Sequence, residues 1–331
     1  MTDTHAVFDI VMPGLQTLVQ DYPGRRGLQS KGFFPSGPMD HVSFRIANAL
    51  VGNEPGAPAL EIPMGRLALR ALAETWVAVT GAEGSGIRLN STPMPLGETV
   101  RVVPGDEITC SIVKGPGFRL YLAVAGGIDV PMVMGSRATY TMGGIGGVEG
   151  RALVKGDVLR ARPVTAPPPR LRVPASLRPA LANVWEVEVM RGPHADPDFL
   201  TEQDWKDLIG REWKVDLNSN RVGTRLESHR FQWARPSGGV AGGHASNVLD
   251  GSYPIGGINT NGDVPVILGP DGPTAGGFTV IATVVQAGLW KVGQLRPGRD
   301  LIRFREVSLD EALALAARVD YTTDPHHYEE L

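Results

Sequence analysis

Ser246 to Phe278 reads SNVLDGSYPIGGINTNGDVPVILGPDGPTAGGF, and its interpretation decides the fold. One apolar run, Val264 to Leu268, stands between loops rich in glycine, amides, hydroxyls and two carboxylates. A short apolar run bounded by turn residues is the pattern of a buried strand that carries polar loops at both ends. Asn261-Gly262-Asp263 and Asp271-Gly272-Pro273 are turn sequences on either side of it. Gly256, Gly257, Gly262, Gly269, Gly272, Gly276 and Gly277 allow positive φ and close backbone approach, which suits loops shaped for contact. The plainer alternative is that these turns only connect strands.

The same punctuation extends outward. Forty-two glycines and 27 prolines in 331 residues separate short runs of Val, Ile, Leu and Thr, the composition of a mostly β protein with few, short helices. Phe8 to Met12 reads as a first strand that ends at Pro13-Gly14, and Leu15 to Asp40 is too irregular for either period. Asp40 caps a predicted helix with Val42, Ile46, Ala49 and Leu50 on one face, stopped by Gly52. Trp76 to Thr80, Val100 to Val103, Ile108 to Val113 and Phe118 to Val124 follow as strands. Turns such as Pro104-Gly105-Asp106 and Lys155-Gly156-Asp157 suggest barrel-like units.

Pro163 to Pro179, PVTAPPPRLRVPASLRP, carries no strand or helix pattern and reads as a semi-extended linker. This places an N-terminal domain at residues 1–163, a linker at 164–184, a C-terminal domain at 185–320 and a frayed tail at 321–331. In the second domain Trp185 to Met190 is a predicted strand. Thr201 and Asp204 form a capping-box pair ahead of a helix that ends at Gly210. Ser308 and Glu311 form another, for a helix whose Ala/Leu face is expected on the strand Leu301 to Phe304.

Several function classes fall away. The net charge is −3, and no Lys/Arg run exceeds Arg25-Arg26, so nucleic acid is not an expected partner. A single cysteine, Cys110, rules out an internal disulfide and fits a reducing compartment. The start lacks a basic region followed by an apolar one, and no run approaches the length of a membrane span. A cytoplasmic location is expected. Phosphate-loop, nucleophile-elbow and HExxH signatures are absent, and His326-His327 has no second cluster with which to bind a metal.

What remains is a set of loop arginines and amides: Asn218, Asn220, Arg221 and Arg225 in NSNRVGTRL, then His244, Ser246 and Asn247 in GGHASN. Arginine binds carboxylates through a two-pronged fork, while Asn, Ser and Asp match ureido or amide edges, so a small planar carbonyl compound is the expected ligand. Alternatively, Arg221 and Arg225 pair with surface acids such as Glu227.

Longer blocks resemble a known family. QDYPGRRG, FPSGPMD, RIANALVGN and ALE, between Gln20 and Glu61, are similar to the opening signature of the biotin-dependent carboxyltransferase family, also called KipA-like or allophanate hydrolase subunit 2. AVAGGIDVP, VMGSRATYT and GGVEGRALVKGD resemble its middle blocks. NSNRVGTRL, GGHASNVLDGSYPIG, NTNGDVPVILGPDGPTAGGF and LWKVGQLRPG look like the carboxyltransferase domain of urea carboxylase. The resemblance implies two cyclophilin-like β-barrel domains. It also implies carboxyl transfer from carboxybiotin, carried on a separate chain, to urea or a related amide. A KipI-like subunit, a biotin carboxylase and a biotin carrier protein are the implied partners.

Under that resemblance Arg221 and Arg225 bind the migrating carboxylate, and Asn220, His244, Ser246 and Asn247 orient the ureido groups. Asp263 and Asp271 position an N–H donor or assist proton transfer. Asn218 and Thr274 are assigned to substrate binding, and Gln20, Asp21, Arg25, Ser36 and Asp40 of the first block to the same surface, although Asp40 also reads as a simple cap. Two rival readings stay open within the family: a subunit of ATP-dependent 5-oxoprolinase, and a non-catalytic antagonist of a KipI-like kinase inhibitor.

Overall fold

The computed structural model describes residues 4–331. They form two compact units: the chain up to Arg26 with Ser36–Leu181 and Arg318–Leu331, and Gly27–Pro35 with Ala182–Ala317. Both are mostly β. The α-helices among the described residues are α1 (His41–Leu50), α2 (Glu202–Gly210), α3 (Leu289–Gln294) and α4 (Leu309–Thr323). None is long and apolar enough to cross a membrane.

In the first unit a six-stranded sheet runs Val158–Ala161, His5–Pro13, Leu67–Ala71, Glu107–Thr109, Arg88–Leu89, Thr92–Pro93. A five-stranded sheet runs Leu18–Gln20, Ala59–Pro63, Arg119–Val124, Thr75–Gly81, Val100–Val102. Strand alternation sends Leu67 and Leu69 inward from the first sheet and Val77 and Val79 from the second, into one shared core with Phe8, Ile10, Leu60, Ile108 and Leu120. Both strand orders are open at their ends. The barrel implied by the family resemblance is therefore built as facing sheets, not as a closed ring.

Helix α1 forms where expected. Asp40 Oδ1 accepts from Val42 N and Ser43 N, both at 2.9 Å, and Oδ2 accepts from Ser43 Oγ at 2.6 Å. The Asp40 amide in turn donates to Tyr121 Oη at 2.8 Å, and that hydroxyl donates to Glu61 Oε2 at 2.8 Å. Burial, reinforced by the Glu61 and Asp40 carboxylates, holds the Tyr121 phenol well above its ordinary pKa, so it stays a donor. Asp40→Ala is expected to destabilise the fold by about 1–2 kcal/mol, as loss of an N-cap does. A smaller loss in urea denaturation would show that water or Ser43 replaces the cap.

The second unit centres on a seven-stranded sheet, in the order Glu212–Lys214, Leu301–Glu306, Val184–Arg191, Val280–Val284, Gly257–Asn261, Val264–Leu268, Gly223–Arg225. Its one parallel pair joins Val184–Arg191 to Leu301–Glu306. A separate ribbon pairs Asn247–Ser252 with Ala275–Phe278. The stretch quoted at the outset thus contributes four strands. Gly262, at φ +62°, makes the tight turn between two of them, where Asn261 pairs with Val264.

Several expectations need correction. The irregular Leu15 to Asp40 segment contains the strand Leu18–Gln20, too short for a period to register. The run Ile108 to Val113 is strand only as far as Thr109. The proline-rich stretch includes the strand Leu171–Arg172, with Leu171 and Val173 buried. The end of the chain is not frayed: Glu329–Glu330 pairs with that strand, and Tyr328 is buried. Both predicted capping boxes form, but α4 leaves Leu309 61% and Leu313 60% exposed.

Candidate functional site

The second unit gathers its polar loop residues around the Gly262 hairpin. Asp263 follows that glycine, and its backbone oxygen accepts from His229 N at 2.9 Å. Its Oδ1 accepts from Trp233 Nε1 at 3.1 Å and Phe231 N at 3.4 Å, and lies 3.9 Å from His244 Nε2. Oδ2 holds no hydrogen bond among the described residues. Trp233 is held in turn from α2. Asp204, besides closing its capping box, accepts from Gln232 N at 2.8 Å and Trp233 N at 3.0 Å. One carboxylate thus caps the helix and fixes the turn in which Trp233 takes φ +55°.

His244 stands edge-on to Trp233, with ring centroids 5.7 Å apart. Its Nδ1 accepts from Ser246 N at 3.1 Å and lies 2.9 Å from Ser246 Oγ. A backbone N–H can only donate, so Nδ1 is the unprotonated nitrogen and Nε2 carries the proton. Asn247 closes the turn: its Oδ1 accepts from His244 N at 3.1 Å and its own N–H donates to His244 O at 3.0 Å. The structure therefore brings His244, Ser246, Asn247 and Asp263 together, with Nε2–H of the histidine 3.9 Å from the Asp263 oxygen that Trp233 and Phe231 hold.

Arg221 and Asp271, which read as separate groups in the sequence, are joined in the structure. Arg221 Nε donates to Asp271 Oδ2 at 2.7 Å and Nη2 to Oδ1 at 3.1 Å, with the side chains only 7% and 4% exposed. That is a buried, two-pronged ion pair. Gly269 passes so close that a Cβ there would lie 2.1 Å from Arg221 O. The suggested Glu227 partner belongs instead to Arg211, at 3.1 Å. Arg225 is exposed. Asn218 and Asn220 serve turns, Asn218 donating to Asp216 Oδ1 and Asn220 Oδ1 accepting from Val222 N at 2.8 Å. Thr274 donates to Gln29 O at 3.3 Å.

The first-block residues occupy the first unit, and most of them fasten one loop. Gln20 Nε2 donates to Thr139 O at 3.1 Å, and its Oε1 accepts from Gly37 N at 3.0 Å. Asp21 accepts from Ser136 Oγ, Arg137 N and Ala138 N, at 2.5, 2.6 and 3.1 Å. Arg25 donates to Val133 O and Ala138 O, at 3.1 and 3.0 Å. These contacts explain why QDYPGRRG and VMGSRATYT occur together: the side chains of one satisfy the backbone of the other. Asp40 is a cap. Ser36 differs from the rest, being buried at φ +55° with a hydroxyl that has no hydrogen-bond partner among the described residues.

Sequence reasoning missed Trp233, Asp204, Arg235 and His194. Trp233 and Arg235 sit in FQWARP, which has no periodicity, and the capping signal of Asp204 hides its second task. His194, in RGPHADP, stands alone in a turn sequence.

Comparison with known proteins agrees with the resemblance. The family model described as carboxyltransferase domain, subdomain A and B, matches residues 31–306. A urea amidolyase from Lachancea kluyveri is 41% identical over 95% of this chain and 18% of its own length. A 5-oxoprolinase subunit from Escherichia coli is 34% identical, over 92% of each chain. The crystal structure of the K. lactis urea carboxylase superposes with a TM-score of 0.91 at 42% identity, over 98% of this chain and 29% of that one. This chain thus spans less than a third of the urea amidolyase and of the urea carboxylase that it matches. It belongs to the family of carboxyltransferase domains, subdomains A and B.

Proposed function

We propose that the chain is the KipA-like component of a biotin-dependent carboxyltransferase that carboxylates urea or a related amide, working in the cytoplasm with a KipI-like subunit, a biotin carboxylase and a biotin carrier protein. The observation that carries this reading is the 41% identity to a urea amidolyase across 95% of the chain, against 34% to the oxoprolinase subunit.

The second-unit cluster fits a ureido group. A ureido edge presents C=O beside N–H, and the neighbouring side chains of His244 and Asp263 offer a donor, Nε2–H, and an acceptor, the Oδ2 that holds no hydrogen bond among the described residues. Carboxybiotin, when bound, supplies an activated carboxyl group. The protein's part would be to orient and to move a proton: His244 Nε2–H would donate to a carbonyl oxygen, and Asp263 Oδ2 would take the acceptor nitrogen's proton as its N–C bond forms and the carboxyl group's bond to the biotin ureido nitrogen breaks, that nitrogen taking up a proton in turn. Trp233 and Ser246 hold the pair in register, one on each side chain.

The test is the chain co-purified with the KipI-like subunit and given ATP, bicarbonate and a biotinylated carrier charged by its carboxylase. Urea-dependent ATP turnover with allophanate formation is expected. The second reading draws on the 92% span of an oxoprolinase subunit. ATP hydrolysis driven by 5-oxoproline, with none driven by urea, would move the chain there.

A further inference from the structure

The turn that carries Asn247 is fastened by an arginine without a counter-charge. Arg235 donates from Nε to Ala245 O at 2.8 Å and from Nη2 to Asn247 O at 2.5 Å. Both acceptors are neutral carbonyls. Among the described residues no carboxylate pairs with it and Nη1 makes no hydrogen bond. Its guanidinium carbon lies 4.2 Å from the centroid of Phe199. A partly buried cation held only by carbonyls loses some of its hydration in the free protein, and an arriving anion would offset that cost.

His194 meets the same ring. It stands edge-on to Phe199 with centroids 4.7 Å apart, and its Nδ1 accepts from Val280 N at 3.0 Å. That bond leaves the proton on Nε2. Burial first, and then the Arg235 charge, push His194 below its ordinary pKa, so at pH 7 it is a neutral donor. Gly251 of the ribbon passes alongside, where a Cβ would sit 3.8 Å from His194 Cε1. A cationic fork and a neutral N–H therefore flank one aromatic ring beside the turn that orients His244.

We infer that Arg235 and His194 form a subsite for a planar carboxylate, the carboxyl end of the carboxylated amide. The assignment rests on the carboxyl-transfer reading above and gives this role to Arg235, whose Nε and Nη2 meet only neutral carbonyls and whose charge and Nη1 are left for an anion, whereas the charge of Arg221 is met by the Asp271 carboxylate. It pairs a charged, directional group with an anion whose two oxygens lie in one plane.

The experiment is a calorimetric titration of the full chain with oxamate, a planar amide that bears a carboxylate, alongside the imidazole ¹⁵N shifts of His194. Arg235→Lys keeps the charge and loses the fork. His194→Asn keeps an acceptor for Val280 N and loses the Nε2 donor. Each is expected to weaken oxamate binding by about tenfold or more, the scale of one hydrogen bond to a charged group. Arg230→Ala, an exposed charge removed elsewhere, is expected to change nothing. Unchanged affinity in an Arg235→Lys protein with an unaltered melting curve overturns the subsite, as does the absence of saturable oxamate binding by the unaltered chain. If binding depends on both residues but the assembled complex shows no urea-dependent turnover, the subsite stands and the urea reading falls. Full urea-dependent turnover in Arg235→Lys overturns the subsite and leaves the urea reading standing.

Discussion

Arg221→Ala is expected to lower the unfolding free energy by about 3–5 kcal/mol, because it leaves the Asp271 carboxylate buried without its partner. The geometry makes this pair sensitive: its hydrogen bonds are two-pronged, both side chains are nearly inaccessible, and Gly269 passes against the Arg221 carbonyl, where a Cβ would sit 2.1 Å away. The double replacement Arg221→Met with Asp271→Leu removes both charges and should recover most of the loss. Urea denaturation measures all three proteins. A single-mutant loss under about 1 kcal/mol would mean that water reaches the pair and that it behaves as a surface ion pair. One practical point follows for assays: lost activity in Arg221→Ala reports on folding before it reports on chemistry.

Asp263→Asn separates the two. The amide oxygen can still accept from Trp233 Nε1 and Phe231 N, so the turn and its stability should be nearly unchanged. Only Oδ2, the atom proposed to take the proton, becomes a nitrogen. The kcat for urea-dependent turnover in the assembled complex is expected to fall by about 10²–10⁴-fold, the usual contribution of a positioned general base. A fall of less than about tenfold at unchanged stability would reduce Asp263 to a positioning group for His244.

Long apolar runs and capping residues are legible because their physics is local. The strand Val264–Leu268 and the caps Asp40, Thr201 and Ser308 can be read from neighbours in sequence, since each cap answers amides two or three residues away. The strand Leu171–Arg172 cannot, because its partner lies at Glu329–Glu330. The candidate site divides along the same line. His244, Ser246 and Asn247 form one turn and stand together in the sequence. Asp271 is recognisable as a turn former, yet nothing near it in the sequence points to Arg221, fifty positions away. Arg235 escapes a sequence reading because its significance lies in a missing counter-charge, which becomes visible only when all the surrounding carboxylates have been located.

The parallel pairing of Val184–Arg191 with Leu301–Glu306 bears on when this protein can finish folding. The first strand of the second unit waits for nearly the last, and Trp185 Nε1 reaches Asp300 Oδ2 across 115 positions. The first unit is arranged alike, with His5 opposite Ala161 and Leu171–Arg172 opposite Glu329–Glu330. Such late-closing sheets fold slowly, since loop closure must precede the contacts that reward it. On the ribosome, neither unit can complete its sheets until these distant segments have left the tunnel, and the exposed strand edges meanwhile are a natural client for chaperones.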